Sequence, residues 1–340
     1  MKRIILSIDG GGARGIIPAL VINEIYTLLG QKLCDELKPF HSYIDCFIGT
    51  SVGALISALL SAPSPERPGS TIMTPEMIPL FMRNSMGHVF PRKDFERRRR
   101  AGDADESGYD DSHADASFAK AFGELLVGDA LANLVFTTYD PVKREPVLVS
   151  NIAQYDAATR QMKMRDAIRA ATAAPTFHGP ASITPYDDMA HEVLLDGAVY
   201  MNDPSFLALM FSTILGFDLN DTLILSLGTG QGSRPYDLDD MRSWTAADWS
   251  KPQRGFPLFS MLTSGQAAAN PIILDTFLNR PGEPARYIKI DGPLQDCSDD
   301  LDDASPENIA RLEDFAGSLI RKHRSDIEYA VQIMQNKNSS

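Results

Sequence analysis

The sequence of 340 residues lacks any long hydrophobic run. A membrane-spanning helix needs about 18 to 20 consecutive apolar residues, and no stretch of that length occurs. The apolar run that follows Lys2 and Arg3 ends at Asp9 after about six residues, whereas the hydrophobic core of a signal peptide needs about 7 to 15. We therefore expect a cytoplasmic protein without a transmembrane helix or a secretion signal.

Cysteine is scarce and positive charge is in deficit. The three cysteines, Cys34, Cys46 and Cys297, do not have the spacing of metal ligands, so we interpret them as buried free thiols in a reducing compartment. The 45 acidic residues exceed the 32 Lys and Arg residues, for a net charge of -13. Because nucleic-acid binding requires a basic face, this balance argues against a nucleic-acid polymer as the main partner.

Short apolar runs alternate with segments of helical periodicity. The run from Ile4 to Ile8 precedes a helical pattern that begins near Pro18, and the run from Ile44 to Ile48 precedes another. This alternation predicts an α/β fold with a mainly parallel sheet covered by helices. Further strands are predicted at 134–140, 146–150, 193–195 and 222–230, and amphipathic helices at about 305–337.

The segment 62–130 differs in character from the rest of the chain, so we predict an insertion or cap within a single domain that spans 1–340. It contains a basic block, KDFERRRR at 93–100, which adjoins an acidic block at 101–117. Low hydrophobicity and high charge predict an exposed, partly disordered lid. The basic block would either be solvated or meet anionic lipid headgroups.

The sequence GTSVG at 49–53 has the G-x-S-x-G form and stands between a predicted strand and a predicted helix. A nucleophile elbow requires this context, because the two glycines let the backbone turn sharply and hold the serine out at the helix N-terminus. There the helix dipole favours developing negative charge. The pattern alone is common by chance, so Ser51 is a candidate nucleophile that still needs a partner base.

A glycine-rich loop, DGGGARG at 9–15, follows the first predicted strand. Successive glycines expose backbone N–H groups, which predicts a pocket for an oxyanion. The glycines also fit the G-x-G-x-x-G form of a dinucleotide site, which would need an acidic residue at the end of the next strand. The candidates Asp35 and Glu36 follow no predicted strand, so the oxyanion interpretation is favoured.

No histidine is placed as a general base should be. Among the six, only His323 follows Ser51 and Asp196 in the order of an α/β-hydrolase triad, and it lies in a charged stretch with helical spacing. A carboxylate is the alternative. Asp196 ends a short apolar run, and α/β sheets place their sites at strand ends. It could take a proton from a serine hydroxyl if burial keeps its basicity high, although Asp-Gly is also a common turn pair.

Together, the three motifs resemble the patatin-like phospholipase family. That family carries, in this order, a D-G-G-G-x-R-G oxyanion loop, a G-x-S-x-G elbow and a later D-G-A or D-G-G, which stand here at 9–15, 49–53 and 196–198. The segments AATAAPTFHGP (170–180) and LILSLGTG also look like family segments. The resemblance spans residues 3–230 and implies a three-layer α/β/α fold.

The resemblance implies a role for each motif residue. Ser51 would attack an ester carbonyl, Asp196 would activate it as its only base, and the N–H groups of three glycines would hold the oxyanion. Val52 N–H would assist, and Arg14 would support the loop or steady a nearby negative charge. Water would then hydrolyse the acyl-enzyme, with no metal and no cofactor. The three glycines are Gly10, Gly11 and Gly12.

The implied activity is that of a phospholipase A-type lipid acyl hydrolase, which would meet a membrane phospholipid surface as a transient, peripheral partner. Short bacterial members of the family also resemble effectors of antiphage defence that a cyclic nucleotide activates, so a cyclic-nucleotide activator is one hypothesis. Acyl transfer or thioester hydrolysis by the same dyad, and ligand sensing without catalysis, are alternatives. The sequence leaves open a homodimer and the role of the charged segment 88–117.

Overall fold

The computed structural model describes residues 2–100, 108–183, 193–232 and 235–338. Eight strands lie in these ranges: β1 (Arg3–Ile8), β2 (Cys46–Gly49), β3 (Asn133–Asp140), β4 (Glu145–Ser150), β5 (Ala181–Ser182), β6 (Val193–Asp196), β7 (Thr222–Leu227) and β8 (Tyr287–Ile290). They form one sheet in the order β5-β6-β3-β2-β1-β7-β8, and β4 pairs with β3.

Eleven α-helices surround the sheet in the same described ranges. They are α1 (Ile16–Leu33), α2 (Val52–Ser61), α3 (Met77–Val89), α4 (Arg92–Arg100), α5 (Asp111–Phe122), α6 (Met164–Ala171), α7 (Leu207–Ile214), α8 (Leu238–Met241), α9 (Pro257–Leu278), α10 (Pro306–Lys322) and α11 (Arg324–Asn338). The last two occupy the tail segment for which the sequence predicts amphipathic helices.

The strands β1, β2, β3, β7 and β8 run parallel, which confirms the predicted, mainly parallel sheet. β4 returns antiparallel to β3 as a hairpin, and β6 also runs antiparallel to β3. β5 pairs antiparallel with β6 at the edge. The strand that carries the Asp-Gly-Ala motif therefore enters the sheet against the direction of the central strands.

The sheet is buried on both faces. In β1, Ile4, Leu6 and Ile8 point to one side and Ile5 points to the other, and all four side chains are fully buried. Such two-sided burial explains why the strand appears in the sequence as a continuous apolar run. Residues of α1, α2, α10 and α11 pack on the first face, whereas α7 and α9 pack on the second. This is the three-layer arrangement that the family resemblance implies.

The predicted insertion (62–130) is folded where the structure describes it. α3, α4 and α5 lie there, and Phe118 and Phe122 of α5 are buried. The expectation of an exposed, partly disordered segment concerns the charged blocks at 93–117. Where the structure describes them they form α4 and the first half of α5, so the expectation of disorder is wrong there, whereas most of their side chains are exposed or half-buried apart from Tyr109 and Ala114. The side chains of 97–100 and all of 101–107 lie outside the described residues.

The three cysteines are free, as expected, but they differ in exposure. Cys46 is buried in β2, Cys34 is exposed after the end of α1, and Cys297 is half-buried. The expectation of three buried thiols is wrong for Cys34, which lies in a short polar turn rather than on an apolar face.

Two separate glycine-to-alanine substitutions test how closely α2, the helix that follows Ser51, must approach β1. A Cβ at Gly53, in the first turn of α2, would collide with the backbone carbonyl of Ile8 in β1. We expect Gly53→Ala to lower the free energy of unfolding by about 1–3 kcal/mol, because neither backbone can move aside freely.

Gly265→Ala is the matched control, since a Cβ at this position in α9 meets nothing within 4 Å. It should raise the free energy of unfolding by up to about 1 kcal/mol, because alanine is the better helix former. Chemical denaturation of both variants measures the difference, and equal effects would contradict the close approach at Gly53.

Candidate active site

Ser51 stands at the turn between β2 and α2. Its φ of 54° and ψ of -124° lie in a region that non-glycine residues rarely adopt. The preceding Thr50 anchors the turn, because its Oγ1 donates to the Met201 carbonyl at 2.7 Å and shares a 2.7 Å hydrogen bond with Thr137 Oγ1. The Ser51 side chain is thereby held at the N-terminus of α2, where the helix dipole favours a developing negative charge.

Asp196 is the fully buried last residue of β6. Its Oδ1 accepts a 2.8 Å hydrogen bond from Ala198 N–H, whereas its Oδ2 is buried without a hydrogen bond of normal geometry in the described structure. Burial raises the pKa of Asp196 from 3.8 to about 7, and the nearby Ser51 hydroxyl and Ala198 N–H lower it only in part. The Ser51–Asp196 contact is thus close but not a fully formed hydrogen bond, as is common in resting active sites.

The antiparallel direction of β6 explains how Asp196 reaches Ser51. Asp196 pairs with Thr138 near the carboxyl end of β3, and β3 is the neighbour of β2, which leads into Ser51. Gly197 lies so close to Thr137 that a Cβ would collide with its side chain. Ser51 follows a strand that runs parallel to β3, whereas Asp196 ends a strand that runs antiparallel to it, and both residues lie near the carboxyl end of β3. The sequence does not indicate this difference in strand direction.

The glycine loop contributes backbone donors beside Ser51. Gly10 N–H donates to the Asn202 carbonyl at 3.0 Å and is therefore engaged, contrary to its expected role as an oxyanion donor. The N–H groups of Gly11, Gly12 and Val52 have no acceptor among the described residues. Gly12 has a φ of +55° and lines the same pocket as Ser51. The donors available to an oxyanion are thus those of Gly11 and Gly12, with Val52 at the start of α2.

The Arg14 side chain supports the glycine loop through hydrogen bonds to backbone carbonyls. Its guanidinium is largely buried and donates from Nε to the Gly11 carbonyl at 3.4 Å and from Nη1 to the Gly230 carbonyl at 3.3 Å. Burial lowers the pKa of Arg14, while neighbouring carboxylates, Asp299 first among them, act in the opposite direction. Of the two expected roles, support of the loop is the one that these contacts favour.

A lysine that the motifs do not contain, with 11% of its side chain exposed, joins two parts of the site. Lys289 Nζ on β8 contacts Asp9 Oδ2 at 2.6 Å, Asp203 Oδ2 at 2.8 Å and Ser226 Oγ at 3.1 Å. Burial opposes its charge, but the two carboxylates outweigh burial and raise the pKa of Lys289. Asp9 begins the glycine loop, and Asp203 ends the segment that Asp196 begins. A single lysine in the otherwise apolar strand YIKI is the signal that could have revealed it.

The pocket beside Ser51 is narrow and mainly apolar. Its volume is about 50 Å³, well below the roughly 300–1,000 Å³ of typical small-molecule pockets. Part of its wall comes from the insertion, through α3 and α5. The apolar lining residues are Val52, Leu55, Met86, Val89, Phe90, Ala114, Phe118, Ala174, Phe177 and Leu301.

Neither of the two buried or half-buried histidines with an acidic partner forms a triad with Asp196. His323 lies between α10 and α11, with its Nδ1 2.9 Å from Asp326 Oδ2. His178 lines the Ser51 pocket, which the sequence did not indicate, and its Nδ1 lies 2.9 Å from Asp111 Oδ1 of α5. This contact ties the insertion to the loop after α6. Within the described residues, no group of three or more potential ligands could hold a metal ion.

The chain matches the patatin-like phospholipase family over residues 6–209, which is more than half of its length. It belongs to this family. Membership supports a lipid acyl hydrolase, and the matched region contains the glycine loop, the elbow and Asp196.

Curated relatives agree with this assignment over nearly the whole chain. Patatin-like protein 2 of Arabidopsis thaliana is 27% identical and covers 94% of this chain and 83% of its own length. A protein of Solanum tuberosum named probable inactive patatin-3-Kuras 1 is 26% identical, over 95% of this chain and 87% of its own length. The crystal structure of VipD from Legionella pneumophila covers 95% of this chain and 67% of that one, with 13% identity and a TM-score of 0.44, a likeness too weak to bear on function.

The raised pKa of Asp196 predicts a pH-dependent activity. A carboxyl group accepts a proton only in its ionised form, so kcat should rise with pH and level off above about 7. Hydrolysis of a water-soluble ester between about pH 5 and 9 measures the profile. A kcat that is constant across this range, with intact protein throughout, would contradict Asp196 as the base.

The raised pKa of Asp196 also affects stability, but in the opposite direction: activity should rise with pH, whereas stability should fall. Because the folded state holds the Asp196 proton more tightly than the unfolded chain, the stability that this group contributes is lost as pH rises from about 4 to about 7. Asp196→Asn should therefore unfold at a higher temperature than the wild type at pH 8, and the difference should shrink towards pH 4. Thermal unfolding at the two pH values provides the control for the kinetic profile.

Replacing Lys289 tests the buried ion network. Lys289→Met leaves Asp9 and Asp203 without their shared cation, so we expect a loss of about 3–5 kcal/mol in unfolding free energy. In the folded fraction, kcat should fall more than KM rises, because the loop that holds the oxyanion donors is displaced. Lys289→Arg should restore part of kcat, and the exposed Lys32→Met serves as control. An unchanged kcat in folded Lys289→Met protein would refute this positioning role.

Proposed function

We propose that this protein is a phospholipase A-type lipid acyl hydrolase that works through a Ser51–Asp196 dyad. The observation that carries the proposal is the pairing of a strained Ser51 with a fully buried carboxylate whose pKa of about 7 suits a base at neutral pH. The apolar pocket beside Ser51 suits a fatty-acyl chain rather than a polar acyl group.

In the proposed reaction, Asp196 takes the Ser51 proton as Oγ attacks the ester carbonyl. The carbonyl oxygen becomes an oxyanion that the N–H groups of Gly11, Gly12 and Val52 stabilise. The proton passes to the leaving lysolipid oxygen, and an acyl-Ser51 ester remains. Asp196 then takes a proton from a water molecule that attacks this ester, and it returns that proton to Ser51 Oγ as the acyl–Oγ bond breaks and the fatty acid is released. Removal of one donor from an oxyanion hole typically costs about 2.7–4 kcal/mol of transition-state stabilisation.

The small volume of the Ser51 pocket supports a further element of the proposal: the pocket is closed in the resting protein and must widen before a substrate acyl chain enters. A cavity of about 50 Å³ does not accept a fatty-acyl chain until wall residues such as Met86, Phe90 and Phe118 move. These residues belong to or adjoin the insertion, which His178 and Arg169 tie down through Asp111. We propose that contact with a lipid surface, or a cyclic nucleotide as activator, shifts this segment. The cyclic nucleotide remains a hypothesis from the family resemblance.

Fatty-acid release from phospholipid vesicles tests the proposal. Wild-type protein should release fatty acid, and both Ser51→Ala and Asp196→Asn should lower the rate at least about a thousandfold, since the two residues act as one unit. A panel of cyclic mono- and dinucleotides is added to each reaction. A nucleotide that raises the rate of the wild type but not of the two variants would support activation by a cyclic nucleotide. No increase with any nucleotide would contradict it.

The control is His178→Gln, which removes the histidine that lines the Ser51 pocket and should retain most of the activity. A loss as deep as that of Asp196→Asn would instead favour a histidine base. Release of acyl groups to an added alcohol or thiol, without free fatty acid, would favour an acyltransferase. No turnover by properly folded wild-type protein in any condition would favour a ligand-sensing member of the family, a role consistent with a relative that is named inactive.

A further inference from the structure

Helix α9 presents an exposed face without charge. Its 22 residues include one charged side chain, Asp275, and five large apolar side chains are exposed to solvent, of which Ile273 is the least exposed at 39%. Leu258 is 49% exposed, Leu262 61%, Ile272 69% and Phe277 73%. At 100° per residue these four positions and Ile273 fall on one side of the helix.

The rest of this face is also free of charge. Gly265, Ala269 and Thr276 lie between the large side chains and are exposed. The opposite side packs against the sheet through Leu274 and Leu278, which are buried. A surface helix of a soluble protein normally turns charged and polar side chains to water, so a long uncharged face marks an interaction site.

The face adjoins the candidate active site. Phe256 and Phe259, at the start of α9, contact Phe177 with ring centroids 5.1 and 6.4 Å apart, and Phe177 lines the Ser51 pocket. α9 also forms one wall of a neighbouring cavity of about 390 Å³, which shares Phe177 and Leu301 with that pocket. A surface that docks on α9 would therefore lie at the rim of both cavities.

The size of the face argues for a lipid surface over a second protein copy. A helix of 22 residues is about 33 Å long and about 10 Å wide, which gives a contact of roughly 330 Å². A standard protein interface buries about 800 Å² on each partner, so this strip alone is too small for a stable dimer. A bilayer needs no complementary shape and accepts a narrow apolar helix lying in its interface.

We propose that α9 docks the protein on zwitterionic phospholipid bilayers, with its apolar face in the headgroup–acyl boundary. The inference rests on the proposed lipase function, since it explains how the enzyme meets its substrate. No helix in the described ranges is long and apolar enough to cross a bilayer, so α9 lies on the membrane rather than through it. Because the face carries no positive charge and the chain has a net charge of -13, binding depends on apolar burial and not on anionic lipids.

A matched pair of double variants tests the docking face. Leu262→Asp with Phe277→Asp adds two charges to it, whereas Leu131→Asp with Val142→Asp adds two charges at apolar positions elsewhere, exposed by 42% and 77%. Flotation with phosphatidylcholine vesicles at low and high salt measures binding. The α9 variant should bind at least about tenfold less than wild type, because each buried apolar side chain is worth about 1.5–3 kcal/mol, while the control binds normally and salt has little effect.

Hydrolysis of a water-soluble short-chain ester separates this inference from the proposed function. The α9 variant should cleave the soluble ester within about twofold of wild type while losing vesicle hydrolysis in step with binding. If the wild type cleaves neither the soluble ester nor the vesicle lipid, the lipase proposal is wrong. Flotation would still test whether α9 binds the bilayer, because it measures binding without hydrolysis. Undiminished vesicle binding by the α9 variant would overturn the docking inference, and a dimeric wild type that becomes monomeric in that variant would assign the face to a second copy.

Discussion

The segment that runs from Asp196 to Asp203 holds the site together, because it binds both other motifs at once. Its Met201 carbonyl accepts from Thr50, next to Ser51, and its Asn202 carbonyl accepts from Gly10 of the glycine loop. Asp203 is tied through Lys289 to Asp9, the first residue of that loop. One short stretch of backbone that begins at the end of β6 thus fixes the positions of Asp196, Ser51 and the glycine loop, to which we assign the roles of base, nucleophile and oxyanion donor.

This arrangement places three costly features side by side. Ser51 has a backbone conformation that non-glycine residues avoid, Asp196 is a carboxylate buried without a charged partner in the described structure, and Lys289 shares two buried carboxylates. The Ser51 backbone and the buried Asp196 carboxylate lower the stability of the fold, and the burial of Asp9 and Asp203 depends on the single cation of Lys289. They persist because the surrounding sheet, buried on both faces, fixes the backbone from which they project.

Much of the fold could be predicted from the sequence, because buried parallel strands appear as plain apolar runs and the glycine turns between strand and helix are local signals. Local signals also mark Ser51 and the glycine loop as candidates, whereas Asp196 becomes the candidate base only through the family resemblance, because Asp-Gly by itself is a common turn pair. The direction of β6 could not be predicted, since four residues such as VLLD carry no information on their partner. The engagement of Gly10, the place of His178 and the role of Lys289 also depend on contacts across long sequence separations. The high charge of the acidic block also concealed that α5 begins within it, at Asp111.

The central claim is that Asp196 makes Ser51 nucleophilic. Labelling with a fluorophosphonate probe at about pH 8, followed by peptide mass spectrometry, tests it directly, because the probe reacts only with an activated serine. The account predicts an adduct on Ser51 in the wild type and almost none in Asp196→Asn, although that variant remains folded. Equal labelling of Ser51 in both proteins, or an adduct on a different residue, would contradict it.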